Sequence, residues 1–180
     1  MIEKALQEFT VAVSSAWGPL TSELVASCRD PLTRLLEAPA TEPWLAGLHA
    51  DAPESRELYR DAAHDFLLLA HTERLGLYRP PHDHGRGWVV YGVQRGEMEM
   101  SSYRRVHDLR GASRIVKRES FVLRPGDVRV FLPGDIHDTR CTAGPLTLFR
   151  LTSRDLKMEE VTRYPEPTSA VSRAPSLRVS

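Results

Sequence analysis

The first hydrophobic pattern along the chain is helical. Between residues 2 and 16, large apolar side chains recur at intervals of three and four residues, at Ile2, Leu6, Phe9 and Val13. This spacing places them on one face of an α-helix. Gly18-Pro19 then interrupts the pattern, as helix-breaking residues do. We therefore predict an amphipathic helix over residues 2–16.

Two shorter helices are predicted after this break. One covers Thr21–Cys28, and the pair Asp30-Pro31 opens another that runs to Leu36, because proline is favoured in the first turn of a helix. Pro39 and Pro43 then close the helical part of the chain. We expect these helices to pack against the outside of the domain that follows.

Further along, the pattern changes to short β-type segments. Phe66–Ala70 is a continuous apolar run, which is typical of a strand covered on both faces. Trp88–Val93 is rich in β-forming residues, and Gly96 ends it as a turn residue would. Four further strands are predicted at residues 97–106, 114–123, 128–132 and 146–151. Short strands after a helical start predict an all-β core with an N-terminal α-helical cap.

The composition bounds the organisation and the partners. The 180 residues fit one domain, in which 24 basic residues balance 24 acidic ones, so no overall field favours nucleic acid or an anionic membrane. No apolar run approaches the roughly 18 residues of a membrane span, and the N-terminus lacks the order of a signal peptide. We expect a cytoplasmic monomer or homodimer, in which Cys28 and Cys141 are free thiols.

The candidate chemistry lies between Pro80 and Gly96. His82 and His84 are one residue apart after Pro80-Pro81, which forbids a helix there. In an extended segment both imidazoles share one face and Asp83 points the opposite way, so the pair can bind a divalent ion. About fifty residues later, a second segment of strand and turn residues, beginning at Arg124-Pro-Gly-Asp, ends on His137.

These two segments resemble the two signature motifs of the cupin superfamily, over roughly residues 64 to 152. The resemblance implies a double-stranded β-helix, the jelly-roll barrel of the cupins, whose metal ligands are His82, His84 and His137. Many cupins add a glutamate four or five residues after the second histidine, but Trp88 and Val89 stand there. The order of Phe66-Leu-Leu-Leu-Ala-His and Pro-Pro-His-Asp-His-Gly is similar to cysteine dioxygenase and its bacterial relatives.

That resemblance implies a mononuclear non-haem Fe(II) enzyme that oxidises a small thiol to a sulfinate with O2. Tyr59-Arg60 loosely matches the family's Tyr-x-Arg stretch, which makes Arg60 the candidate for binding a substrate carboxylate, with Tyr59 beside it. Strand alternation places Trp88 on the same face as the histidines, lining the pocket, and turns Tyr91 away. No catalytic side chain beyond the metal ligands is predicted.

Two departures from that family are visible. Val89 stands at the position of the crosslinking cysteine of the animal enzymes, and Thr147–Thr152 lacks their Ser-His-Tyr set. Zinc, nickel or manganese would also suit three imidazoles. A cupin oxygenase acting on a carbon substrate, a metal-dependent isomerase and a non-catalytic small-molecule-binding cupin therefore remain alternatives.

The chain is accordingly divided into three predicted regions. Residues 1–60 form the helical cap, residues 61–164 form the cupin barrel, and residues 165–180 form a C-terminal tail. The tail is rich in proline and serine, and we expect it to be disordered.

Overall fold

The computed structural model describes residues 4–107 and 111–166. Three helices come first, at Lys4–Ala16 (α1), Ser22–Leu36 (α2) and Pro43–Asp51 (α3). Seven strands follow, at Arg56–Arg60 (β1), Leu67–Glu73 (β2), Tyr78–His82 (β3), Val89–His107 (β4), Ser113–Leu123 (β5), Val128–Phe131 (β6) and Ile136–Thr152 (β7). A short 3-10 turn at Leu156–Met158 lies beyond the last strand. The predicted disordered tail covers residues 165–180, of which residues 167–180 lie outside the described part of the chain.

The helices differ from the prediction in number and in length. The helix predicted over residues 2–16 is confirmed as α1, but the two helices predicted on either side of Asp30-Pro31 are one helix, α2, with Pro31 inside it. The apolar period continues across the proline, because Leu24, Cys28 and Leu32 are buried on the same face. The free energy gained by packing this face offsets the loss of the backbone hydrogen bond that proline cannot donate.

The prediction that Pro43 closes the helical part is also wrong. Pro43 is instead the first residue of α3. Proline is well suited to that position, since its missing N–H has no partner within the helix there. Trp44, Leu45 and Leu48 of this helix join the apolar core between the helices and the sheet.

The pairing of β4 with β7 runs through the whole barrel. The two strands are antiparallel from Val89 opposite Thr152 to Tyr103 opposite Ile136. At one end of this pair, β4 also pairs with β6, and β7 also pairs with β2, which in turn pairs with β1. At the other end, β4 pairs with β5, and β7 pairs with β3. The register shifts between these two halves, around residues 93–98 of β4. Bulges of this kind bend a strand, and here they separate the two halves of the sheet.

The two faces of this sheet bury different cores. Trp88 and Val90 pack in a cluster with the three helices. Val89, Tyr91 and Val93 point to the other side, into a cluster with residues from β5, β6 and β7. The predicted class, an all-β jelly-roll core with an N-terminal helical cap, is therefore confirmed. The sheet also includes β1, which lies on the N-terminal side of the boundary predicted at residue 60.

Gly96 does not end a strand, contrary to the prediction. It lies inside β4 with a φ of +81°, where the register with β7 shifts. A Cβ at this position would approach the carbonyl oxygen of Ala143 to 2.5 Å. Glycine therefore allows the two long strands to stay paired through the bulge.

In the part of the chain that the structure describes, no helix is both long enough and apolar enough to span a membrane.

His71 makes the stability of the fold depend on pH. Its imidazole is buried and its Nδ1 lies 3.1 Å from the carbonyl oxygen of Glu54. Burial, together with the nearby Arg150 guanidinium, lowers the pKa of His71 to about 3. The ordinary value is about 6.5, so between these two pH values the unfolded chain binds more protons than the folded one. Acidification through this window therefore destabilises the protein.

We predict that His71→Asn makes unfolding less sensitive to pH. Asparagine retains an N–H donor for Glu54 but does not titrate. The free energy of unfolding, measured by urea denaturation between pH 7 and pH 4, should fall less steeply in the variant, by up to about 1.4 kcal/mol per pH unit. Equal slopes in the two proteins would contradict this role for His71.

Candidate metal centre

Three histidines from separate parts of the chain meet at one point. One ring nitrogen from each of His82, His84 and His137 lies within 4.8 Å of the other two. The ring centroids are 5.0 Å apart for His82 and His84, 4.7 Å for His82 and His137, and 5.1 Å for His84 and His137. The convergence expected from the sequence is thus present.

Strand pairing and one loop produce this cluster. His82 is the last residue of β3 and lies directly opposite His137 of β7 in an antiparallel pair, so the two side chains share one face of the sheet. His84 follows in the loop between β3 and β4. The ring of Phe131, from β6, stacks on His137 with a centroid distance of 3.9 Å and fixes its orientation.

Asp83 holds the loop that carries His84. Its carboxylate accepts hydrogen bonds from the backbone N–H of Gly85 at 3.0 Å and from the hydroxyl of Tyr164 at 2.6 Å. Its own N–H donates to the carbonyl of Thr162 at 3.0 Å. The carboxylate therefore bonds to the loop and to the C-terminal segment, and it is absent from the histidine cluster.

The imidazoles are neutral at physiological pH. Burial lowers the pKa of His82, lowers that of His84 to about 3 and lowers that of His137 well below its ordinary value. Burial has this effect because it penalises the charged form of the ring. A neutral imidazole keeps a lone pair for a metal.

The donor set fits a divalent transition metal. Nδ1 of His82 lies 2.9 Å from the carbonyl oxygen of Pro80, so this nitrogen carries the proton and Nε2 is left as the donor atom. Nδ1 of His84 is buried and has no hydrogen-bond partner among the described residues, whereas the His137 ring is influenced by a backbone hydrogen bond to Asp135. Among the described residues, the cluster contains three imidazoles and no carboxylate. Imidazole nitrogens suit zinc, copper, iron and nickel.

Tyr91 lies inside the site, contrary to the prediction that it faces away. Its hydroxyl oxygen is 3.2 Å from Nε2 of His84 and 3.4 Å from Nε2 of His137. The alternation argument fails because residues 83–88 form a loop, with Gly85 at a φ of +59°, and β4 begins only at Val89. Extending the alternation of side chains from the histidines across that loop therefore assigns every residue of β4 to the wrong face.

Trp88 lies on the opposite side of the sheet from the histidines, for the same reason. It is 5% exposed, stacks on Trp17 at a centroid distance of 5.5 Å, and packs with the helices. Tyr59 also contacts this core: its ring lies 5.8 Å from that of Phe66, and its hydroxyl donates to Asp61 at 3.1 Å. The structure thus brings neither Trp88 nor Tyr59 to the histidine cluster.

A cavity of about 950 Å³ opens beside the histidines. His82 and His84 form part of its wall, and Arg60 and Arg150 line it as well. Arg60 is already paired: its guanidinium lies 2.8 Å from the carboxylate of Glu57 and 3.0 Å from that of Asp155. These contacts neutralise the charge that was expected to receive a substrate carboxylate.

Arg150 is the cation that sequence reasoning missed. It lies on β7 opposite Leu69 of β2 and Tyr91 of β4 and is partly buried, and its buried Nε has no hydrogen-bond partner in the described part of the chain. Within the described residues, no carboxylate oxygen comes within ion-pair distance of it. The signal for it was present, since Arg150 is the one charged residue in the apolar stretch 146–151.

The fold is similar to that of several solved double-stranded β-helix and cupin structures. An uncharacterized conserved protein with a double-stranded β-helix domain from Klebsiella pneumoniae shares 14% identity over 60% of this chain and 75% of that one, with a TM-score of 0.43. KdgF from a Halomonas species shares 19% identity over 58% of this chain and 82% of that one, with a TM-score of 0.41. These likenesses concern the fold alone.

A recombinant oxalate oxidase in complex with glycolate shares 17% identity over 61% of this chain, with a TM-score of 0.43. The alignment spans 55% of that enzyme, about half of its length. No family model and no curated protein sequence matches the chain.

We predict that Trp88→Ala destabilises the fold and leaves metal binding intact. Removing a buried indole should lower the free energy of unfolding by roughly 3–5 kcal/mol, whereas the histidine cluster lies on the other face of the sheet. Urea denaturation and metal stoichiometry measured at low temperature test this. A variant of unchanged stability with reduced affinity for a small ligand would instead place Trp88 in the pocket.

Proposed function

We propose that this protein is a mononuclear metal-dependent oxidoreductase of the thiol dioxygenase type, with Fe(II) held by His82, His84 and His137. The observation that carries the proposal is the cluster of three neutral imidazoles beside a cavity, with no carboxylate from the described residues among the donors. Three protein ligands would leave a bound divalent ion open to exogenous ligands. The resemblance of the two histidine segments to cysteine dioxygenase favours this chemistry over that of other cupins.

The proposed reaction joins one thiolate and one O2 to give one sulfinate. Both oxygen atoms form bonds to sulfur, the sulfur supplies four electrons, and no further reductant is needed. Bound iron supplies the redox chemistry of this step. The protein binds and orients the thiol, excludes water from the buried side of the cluster, and takes no net proton, since the substrate enters as an anion and leaves as an anion.

The charges in the cavity favour a substrate with a second anionic group. Arg150 has no carboxylate partner among the described residues, and although its guanidinium also lies near the Tyr91 hydroxyl, its remaining N–H groups can donate hydrogen bonds to a substrate carboxylate. Arg79 and Arg163 also line the cavity, although Arg79 is paired with Glu73. We therefore assign the role first considered for Arg60 to Arg150, and we propose a small thiol carboxylate as the substrate.

A second candidate function follows from the donor set itself. Three imidazoles accept zinc or nickel as well as iron, and either metal would support a different cupin enzyme, such as an isomerase, or a binding protein. The element bound by the purified protein distinguishes these functions.

We predict that His82→Ala, His84→Ala and His137→Ala each abolish stoichiometric metal binding. Loss of one of the three histidines leaves two imidazoles, which hold a divalent ion weakly. Elemental analysis of the purified proteins should show about one iron per wild-type chain and little in each variant. His107→Ala is the matched control, since this histidine is exposed on β4 and should leave the metal content unchanged. Full metal retention in His137→Ala would contradict the centre.

We predict that Arg150→Gln, compared with the wild-type protein at equal iron loading, raises KM for a thiol carboxylate. Losing a charge-assisted pair to a bound carboxylate costs roughly 1.5–3 kcal/mol, or on the order of 10- to 100-fold in KM. Oxygen consumption by the iron-loaded protein measures this, with the neutral amide of the same thiol as the comparison substrate. Arg60→Gln is the control and should have a smaller effect. A larger effect at Arg60 would make Arg60 the residue that binds the substrate carboxylate, and no oxygen uptake with any thiol would refute the proposed function.

A further inference from the structure

The position of the Tyr91 hydroxyl has the geometry of a ligand. Its oxygen lies 3.2 Å from Nε2 of His84 and 3.4 Å from Nε2 of His137. Two donor atoms on one ion, each about 2.0–2.1 Å from it, are about 3.4 Å apart at a tetrahedral angle and about 2.9 Å apart at a right angle. The two distances from Tyr91 fall within this range.

We propose that Tyr91 is the fourth protein ligand of the ion held by His82, His84 and His137, the ion taking the place of the phenolic proton. The inference rests on the proposed metal centre and adds an oxygen donor to it. Tyr91 would thereby supply the anionic ligand that the sequence lacks at Trp88 and Val89. Exogenous ligands would still reach the site through the cavity that His82 and His84 line.

The surroundings hold Tyr91 in this position. Its ring is buried in the barrel interior, 4% exposed, and meets the ring of Phe131 edge-on at a centroid distance of 6.0 Å. Phe131 also stacks on His137, so one aromatic side chain orients two of the donors. His82 and His84 line the cavity, whereas His137 and Tyr91 come from the buried side of the site.

Arg150 makes an anionic oxygen acceptable at this buried point. It is directly opposite Tyr91 in the β4–β7 pair. A divalent ion held by the three histidines would add a second positive charge near the same oxygen.

The test is the visible spectrum of the iron-loaded protein after oxidation to Fe(III). A phenolate bound to ferric iron gives an intense charge-transfer band in visible light and enhanced tyrosinate vibrations in resonance Raman spectra, whereas imidazole ligands give neither. We expect both signals in the wild-type protein and neither in Tyr91→Phe. Tyr78→Phe is the matched control, because Tyr78 lines the same cavity but directs its hydroxyl to Asp138, and it should keep both signals.

Metal affinity provides a second readout that does not depend on activity. In competition with a chelator, Tyr91→Phe should bind Co(II) on the order of 10- to 100-fold more weakly than wild type, and Tyr78→Phe should match wild type. Circular dichroism verifies that each variant is folded, and the wild-type spectrum tests the proposal even if Tyr91→Phe fails to fold.

The outcomes separate this inference from the proposed function. Wild-type protein that binds one iron without the tyrosinate signals overturns the role of Tyr91 and leaves the three-histidine centre standing. The same signals persisting in Tyr91→Phe also overturn it. Wild-type protein that takes up no metal overturns the centre and the inference together, and tyrosinate signals without thiol oxidation support Tyr91 while refuting the dioxygenase.

Discussion

The antiparallel pairing of β4 with β7 is the interaction on which the site depends. It joins the two halves of the barrel and fixes which residues of distant segments face each other. His137 lies near one end of this ladder, and Tyr91 lies opposite Arg150 near the other. The bulge around Gly96 lets the same two strands serve both halves. A shift of this pairing by one residue would turn every side chain of the strand to the other face. The register therefore fixes the positions of all these side chains at once.

Burial then determines the chemistry of the cluster. Three imidazoles removed from water lose their affinity for protons and keep their lone pairs, and the positive charge of Arg150 acts in the same direction. The protein thus maintains a group of neutral donors beside a cationic cavity wall. This combination favours a metal ion together with an anionic ligand.

The two arginines of the cavity differ in the charged side chains that surround them. Arg60 and Arg150 line the same space, yet Arg60 is held by two carboxylates and Arg150 by none within the described residues. One of the partners of Arg60, Asp155, is 95 residues away in the chain. A sequence motif that places an arginine near a site therefore does not show whether its charge is free to bind a ligand, because other side chains can pair with it.

The sequence by itself determined the class of the fold and the three histidines. Both follow from local information: a period of three to four residues for the helices, short apolar segments for the strands, and a His-x-His pair after two prolines. Arg150 is distinguishable in the sequence only as the one charged residue of the apolar segment 146–151.

Only the tertiary structure decided which aromatic side chain enters the site. Whether Trp88 or Tyr91 faces the histidines depends on the length of the loop 83–88 and on the left-handed conformation of Gly85. The alternation of side chains along a strand predicts neither of these features. The continuity of α2 through Pro31 and of β4 through Gly96 was likewise decided by packing. The physical reason is common to all three: periodicity is a property of neighbouring residues, whereas the face that a strand or helix buries is set by contacts between segments far apart in the chain.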